Sequence, residues 1–137
     1  MTSPTAPAFP NRLSIAVTVD LIVVLAFVAI GRASHSEPGS LVGFLGTAWP
    51  FVAGLALGWL LARVWRQPLS VGTAAGIWAV TVVVALMLRL LSGQGVALSF
   101  AIVTAVTLGV FLIGWRALVA LAIRLRRARA KQVHSQV

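Results

Sequence analysis

LSIAVTVDLIVVLAFVAIG, Leu13–Gly31, is an apolar run with a single charged residue, Asp20. A helix needs about 20 consecutive apolar residues to cross the hydrocarbon core of a bilayer. The run therefore reads as a membrane span. The alternative is a cleaved signal peptide. The apolar stretch is too long for that, contains an acid, and lacks a good small-residue cleavage site.

Three more segments have the same character: Leu41–Ala62, Val71–Leu91 and Ala97–Leu121. Composition agrees. The 137 residues are 60% hydrophobic and 9% charged, with a mean hydropathy of +1.02. A water-soluble domain carries about 25% charged residues. The expected fold is all-α: an integral membrane four-helix bundle, antiparallel and up-down-up-down, because short connections make successive helices neighbours. Residues 1–12, rich in Pro, Ser and Thr, are expected to be a disordered tail. Residues 13–121 form the four-helix transmembrane domain, and residues 122–137 a basic tail.

The connections carry turn chemistry. RASHSEPGS ends in Pro38, Gly39 and Ser40, a turn followed by a helix-capping serine. RVWRQPLS also ends in a serine, Ser70. SGQGV holds two glycines that can end a helix and reverse the chain.

Charge sets the expected orientation. Arg12, Arg63, Arg66, Arg124, Arg126, Arg127, Arg129 and Lys131 fall on the side of both termini, against Arg32 and Arg89 on the other. Positive residues gather on the cytoplasmic side, so both termini are expected there, in the plasma membrane. A net charge of +9 and a pI of about 12 invite a nucleic-acid reading. The basic residues sit at the ends of apolar runs, not along one face, which excludes it. The tail residues Arg124, Arg126, Arg127, Arg129 and Lys131 suit anionic lipid headgroups, each worth about 1 kcal/mol near the surface. The same residues serve equally as a topology anchor. Trp49, Trp59, Trp65 and Trp115 lie near expected interfaces and read as aromatic-belt residues. Trp78, deeper, reads as packing.

Helices in a bilayer associate through small residues. Candidates are the Gly54-x-x-x-Gly58 pair, the Gly72-x-x-x-Gly76 pair, and Ala105 with Gly109. Whether these stripes face one another or a second copy is open, so a homo-oligomer or larger complex is possible. Pro50 must lie inside the second helix, which frees the carbonyl of Gly46. That carbonyl needs a partner, and Arg32, Gly46, Thr47, Pro50 and Arg89 form a candidate outer-side polar niche. A faint repeat is visible. Gly58-Trp59 and Gly114-Trp115 are 56 residues apart, and Arg32 and Arg89 are 57 apart.

An acid within a span costs roughly 2.5–3.5 kcal/mol and faces a partner. Asp20 lies about 10 Å above the inner edge and Arg116 about 7–8 Å, at 1.5 Å per residue. Side chains lean toward their own helix N-terminus, so these two approach one level from opposite-running helices. Asp20 and Arg116 are the expected intramembrane charge pair, with Arg63 the second-choice partner.

The pieces GR-x-SH (31–35), TAWPF (47–51), GW (58–59), WRQPL (65–69), SGQG (92–95) and GWR (114–116) resemble the DUF3054 family of uncharacterised small four-span membrane proteins, found in actinobacteria and some archaea. The resemblance covers roughly residues 13–120 and implies a plasma-membrane protein; it supplies no activity. The architecture is also similar, more weakly, to the small multidrug-resistance transporters. Those of dual topology need balanced Lys and Arg, which this chain lacks; it also has no tyrosine, and its acid is Asp rather than Glu.

Three functions follow. The first is a structural or accessory protein acting through helix packing, partner proteins or anionic lipid. The second is a small oligomeric transporter or channel using Asp20 as a proton or ion site. The third, an enzyme, lacks clustered acids, histidines or cysteines. The chain has no cysteine, one Asp, one Glu and two His. His35, Glu37 and Arg32 form a small polar group in the outer loop. No cofactor motif and no metal site can be built.

Overall fold

The computed structural model describes residues 11–36 and 39–136. It contains four helices: α1 (Arg12–Ser34), α2 (Leu41–Leu61), α3 (Val71–Leu91) and α4 (Leu98–Ser135). No strand occurs among the described residues. All four helices are long and apolar enough to cross a membrane. Apolar side chains face outward on every one of them, including Ile22, Leu57, Val83 and Val106. A water-soluble protein of this size does not expose so continuous an apolar surface.

The expected disordered tail, 1–12, lies mostly outside the described residues. Its last two residues start α1: Asn11 caps the helix, its side chain accepting the Leu13 N–H, and Arg12 is the first helical residue. Ser40 caps α2, its Oγ accepting the Gly43 N–H at 3.0 Å. Ser70 occupies the corresponding position before α3, but its side chain makes no capping bond. In SGQG, Gly93 (φ 76°) and Gly95 (φ 72°) are left-handed. The Gln94 N–H bonds the Arg89 carbonyl and the Gly93 N–H that of Leu90, the double closure of a Schellman turn. The α2 terminus has the same closure, with Arg63 (φ 51°) in the position usually given to glycine.

The helices form a closed ring in which each touches its neighbours in the chain and α1 meets α4; α2–α3 is the most extensive contact and α1–α4 the least. The reason for the first is glycine. A Cβ on Gly54 would stand 2.8 Å from the Thr81 carbonyl oxygen, and one on Gly58 3.0 Å from that of Ile77. The two backbones touch, so any side chain there would force them apart. Gly109 makes room for the Trp78 indole, 3.0 Å from where its Cβ would be, and Trp78 Nε1 donates to the Ala105 carbonyl at 2.8 Å. Gly76 faces Ala62 at 3.3 Å. Gly72 departs from the expectation: it is exposed, and only the nearby Ser70 Oγ comes within 4 Å of its would-be Cβ. The packed face of α3 runs instead through Ala74, Ile77, Thr81 and Ala85. Inside the ring lie Val24, Val28, Phe51, Leu55, Ile77, Leu108 and Leu112.

Pro50 is buried inside α2, which continues through it as one helix. The Gly46 carbonyl it releases accepts the Gln94 Nε2–H at 3.2 Å. The partner comes from the α3–α4 turn, 48 residues away.

Candidate functional site

Two polar assemblies stand at opposite ends of the ring. The first is built on Asp20. Arg116 Nη1 donates to Asp20 Oδ1 and Nη2 to Oδ2, both at 2.7 Å. Both side chains are fully buried. This is the fork-to-fork geometry that makes arginine–carboxylate pairs strong. Two indoles complete it: Trp115 Nε1 donates to Oδ1 and Trp59 Nε1 to Oδ2, each at 3.0 Å. The carboxylate thus accepts four hydrogen bonds, two on each oxygen, which matches its lone-pair capacity.

The guanidinium is held as firmly. Its Nε donates to the Pro68 carbonyl at 2.8 Å and Nη1 also to the Leu112 carbonyl at 3.1 Å. Its carbon lies 4.4 Å from the centre of the Trp115 ring, a cation–π contact. The neighbouring Ala16 is buried with no exposed surface, one turn before Asp20 on the same face of α1. The clamp ties α1, α2, α4 and the α2–α3 connection together. Arg63 is exposed and takes no part.

Trp59 and Trp115 differ from the aromatic-belt reading. Each turns its N–H inward onto the acid, while Trp49 and Trp65 remain 44% and 52% exposed. The Schellman turn after α2 helps to fix Trp59: Val64 of that turn is buried in the core against which Trp59 packs. The repeat of GW across 56 residues was a signal of this shared role. Pro68 had no such signal, since a backbone carbonyl is common to every residue.

The second assembly is a cavity of about 770 Å³ at the other end of the ring. Its floor holds buried Val28 and Phe51, and its walls Phe27 and Phe100. The phenyl rings pack edge to face, Phe27–Phe51 at 5.4 Å and Phe51–Phe100 at 6.4 Å. Arg32 and Arg89 both line it. Arg32 Nη1 donates to Thr47 Oγ1 at 2.9 Å, and that hydroxyl donates to the Gly43 carbonyl. Arg89 Nη1 donates to Gln94 Oε1 at 2.9 Å, and its guanidinium carbon sits 4.5 Å from the Phe100 ring centre. Of the niche residues read from sequence, Arg32, Thr47 and Arg89 line the cavity, with Gly46 joined to them through Gln94. Pro50 sits buried behind. His35 also lines the cavity; Glu37 lies outside the described residues. Sequence reasoning missed Gln94 and the three phenylalanines.

The tail residues Arg124, Arg126, Arg127, Arg129 and Lys131 continue α4 as exposed helix. No group of three or more His, Asp or Glu comes together among the described residues.

Four apolar helices, a ring closed by small residues and a buried charge clamp describe a multi-pass membrane protein of unknown function. The chain belongs to the DUF3054 family: the family model, described as a protein of unknown function, matches residues 17–119. No curated protein and no solved structure matches the chain.

Proposed function

We propose that this chain is a non-enzymatic plasma-membrane protein, running up-down-up-down with both termini cytoplasmic. It acts as a structural or accessory component, through helix packing, partner proteins and anionic lipid at its basic tail. The observation that carries this reading is the state of Asp20. A proton or ion carrier must release and recapture its cargo, so its acid needs an open lone pair and a path to water. Asp20 has neither: it is 0% exposed and its four acceptor positions are filled by Arg116, Trp59 and Trp115. A pair so enclosed works as a fastening. The alternative, an oligomeric transporter coupled through Asp20, would have to open this clamp in each cycle.

The test is proton movement. Vesicles holding the wild type and vesicles holding Asp20→Asn should collapse an imposed pH gradient at the same rate as empty ones. A leak present with wild type and absent with Asp20→Asn overturns the reading. The fold of each sample is checked by its helical circular dichroism.

A further inference from the structure

We infer that the Arg32–Arg89 cavity is a binding site for an anionic amphiphile, an oxyanion headgroup carried on an apolar chain. The site is separate from the Asp20 clamp, and the inference stands whether or not the clamp carries protons.

Charge comes first. The described residues lining the cavity include two arginines and no Asp or Glu. Arginine side chains at the mouth of an apolar cavity attract an oxyanion. In so weakly polar a setting Coulomb terms are larger than in water. The planar guanidinium also suits both carboxylate and phosphate oxygens.

Positioning is already done. Thr47 holds Arg32, while Gln94 and the Phe100 ring hold Arg89. Gln94 is itself fixed by the Gly46 carbonyl that Pro50 releases. Side chains fixed in advance lose less freedom on binding. Arg89 Nε is buried and has no hydrogen-bond partner. Buried donors are nearly always paired, and a small turn of the guanidinium toward a headgroup oxygen would pair this one.

Beside these polar groups, with His35 and Ser99, the larger part of the lining is apolar. Phe27, Val28, Phe51, Phe100 and Val103 line it, and Val103 is also exposed on the outer face of α4. The α1–α4 pairing beside it is the least extensive in the ring. A chain lying between α1 and α4 meets apolar walls while its head meets arginine. At about 770 Å³ the cavity is within the 300–1,000 Å³ of small-molecule sites. A bare inorganic anion would leave most of it unfilled.

Such chemistry has two sources, a free fatty-acid-like amphiphile and an anionic phospholipid of the surrounding leaflet. The experiment uses the full chain in phosphatidylcholine nanodiscs, titrated with dodecanoate and, separately, its neutral counterpart dodecanol, with bound copies counted by native mass spectrometry. Dodecanoate should bind saturably and at least tenfold more tightly than dodecanol. Arg32→Gln and Arg89→Gln should each weaken dodecanoate at least tenfold, and Arg89→Lys less. Repeating the titration in phosphatidylglycerol nanodiscs separates the sources. Loss of dodecanoate binding there identifies the lipid as occupant; unchanged binding identifies the free amphiphile. Equal binding of dodecanol, substitutions that change affinity less than twofold, or no saturable binding of dodecanoate in phosphatidylcholine overturns the site. Where a substitution prevents folding, the wild type decides alone. Dodecanoate should slow phenylglyoxal modification of Arg32 and Arg89 at least threefold relative to Arg124 and Arg127, and equal rates at all four overturn the inference.

Discussion

At the scale of single residues, the Asp20 clamp is a charge whose neighbours determine its cost. Removing one member of a buried pair strands the other and costs about 3–5 kcal/mol. Asp20→Asn and Arg116→Gln should each lower stability by that order, and the double substitution should lose less than the sum. Arg116 is fully buried and tied to the Pro68 and Leu112 carbonyls, so it cannot escape to the interface as a free arginine would. Asp20, for its part, keeps two indole donors when Arg116 is lost. The two single losses should therefore be similar. The indoles make the finer forecast. A hydrogen bond to a charged group contributes about 1.5–3 kcal/mol. Trp59→Phe removes one such bond and Trp115→Phe removes one plus part of the contact with Arg116. Trp115→Phe should be the costlier, measured by unfolding in a dodecyl sulfate titration. Equal, negligible losses for both would mean the indoles are belt residues after all. Leaning directions along two opposed helices were enough to bring Asp20 and Arg116 to one level from sequence. The indole donors were hidden because tryptophan at a helix end is equally good as a belt residue, and nothing local says which way its N–H turns.

At the scale of elements, the helices could be found from sequence because apolar runs of span length have no competing explanation. Their facing sides were harder to read. In a helix that is apolar all round, periodicity carries little information about which side is buried, and only small residues stand out. That signal worked for Gly54 and Gly58, whose α carbons meet the α3 backbone, and misled for Gly72, which has the same spacing with Gly76 but faces outward. The two glycines therefore respond in opposite ways to the same change. Gly54→Ala puts a methyl 2.8 Å from a backbone oxygen, which no rotamer can relieve, so α2 and α3 must separate; a loss of about 1–3 kcal/mol is expected from such overpacking. Gly72→Ala meets only the Ser70 Oγ, at an ordinary contact distance of 3.6 Å, and should be neutral or stabilising by up to about 1 kcal/mol. Both are read by the same dodecyl sulfate titration. A loss at Gly72 as large as at Gly54 would mean that a second copy of the chain covers that face. The Gln94 bond to Gly46 was equally out of reach. Pro50 announces that a carbonyl is freed, but a partner 48 residues away is set only by the closing of the ring.

At the scale of the whole molecule, the weak repeat takes on physical meaning. Trp59 and Trp115 bond opposite oxygens of one carboxylate, and Arg32 and Arg89 line one cavity. Each pair comes from corresponding points of two hairpins. The clamp thus gathers at one end and the arginine cavity at the other. Charge makes the forecast. Arg116 is neutralised by Asp20 and drops out of the balance. What is left at the clamp end is Arg12, Arg63, Arg66 and the exposed extension of α4 from Arg124 to Lys131, against Arg32 and Arg89 at the cavity end. At 1.5 Å per residue, the 38 residues of α4 reach about 57 Å, nearly twice the roughly 30 Å hydrocarbon core. The basic extension must therefore stand in water or among headgroups, where the positive-inside bias acts. The clamp end should face the cytoplasm and the cavity the outside. The chain has no cysteine, so single cysteines can be introduced without background. Ser36→Cys and Ser92→Cys, at exposed positions of the cavity end, should react with a membrane-impermeant maleimide added to intact cells. Ser135→Cys, at the end of α4, should react only after the membrane is opened. Labelling of Ser135→Cys in intact cells would invert the molecule and place the arginine cavity inside. A mixture of both patterns would mean that eight basic residues against two do not fix the orientation of this chain.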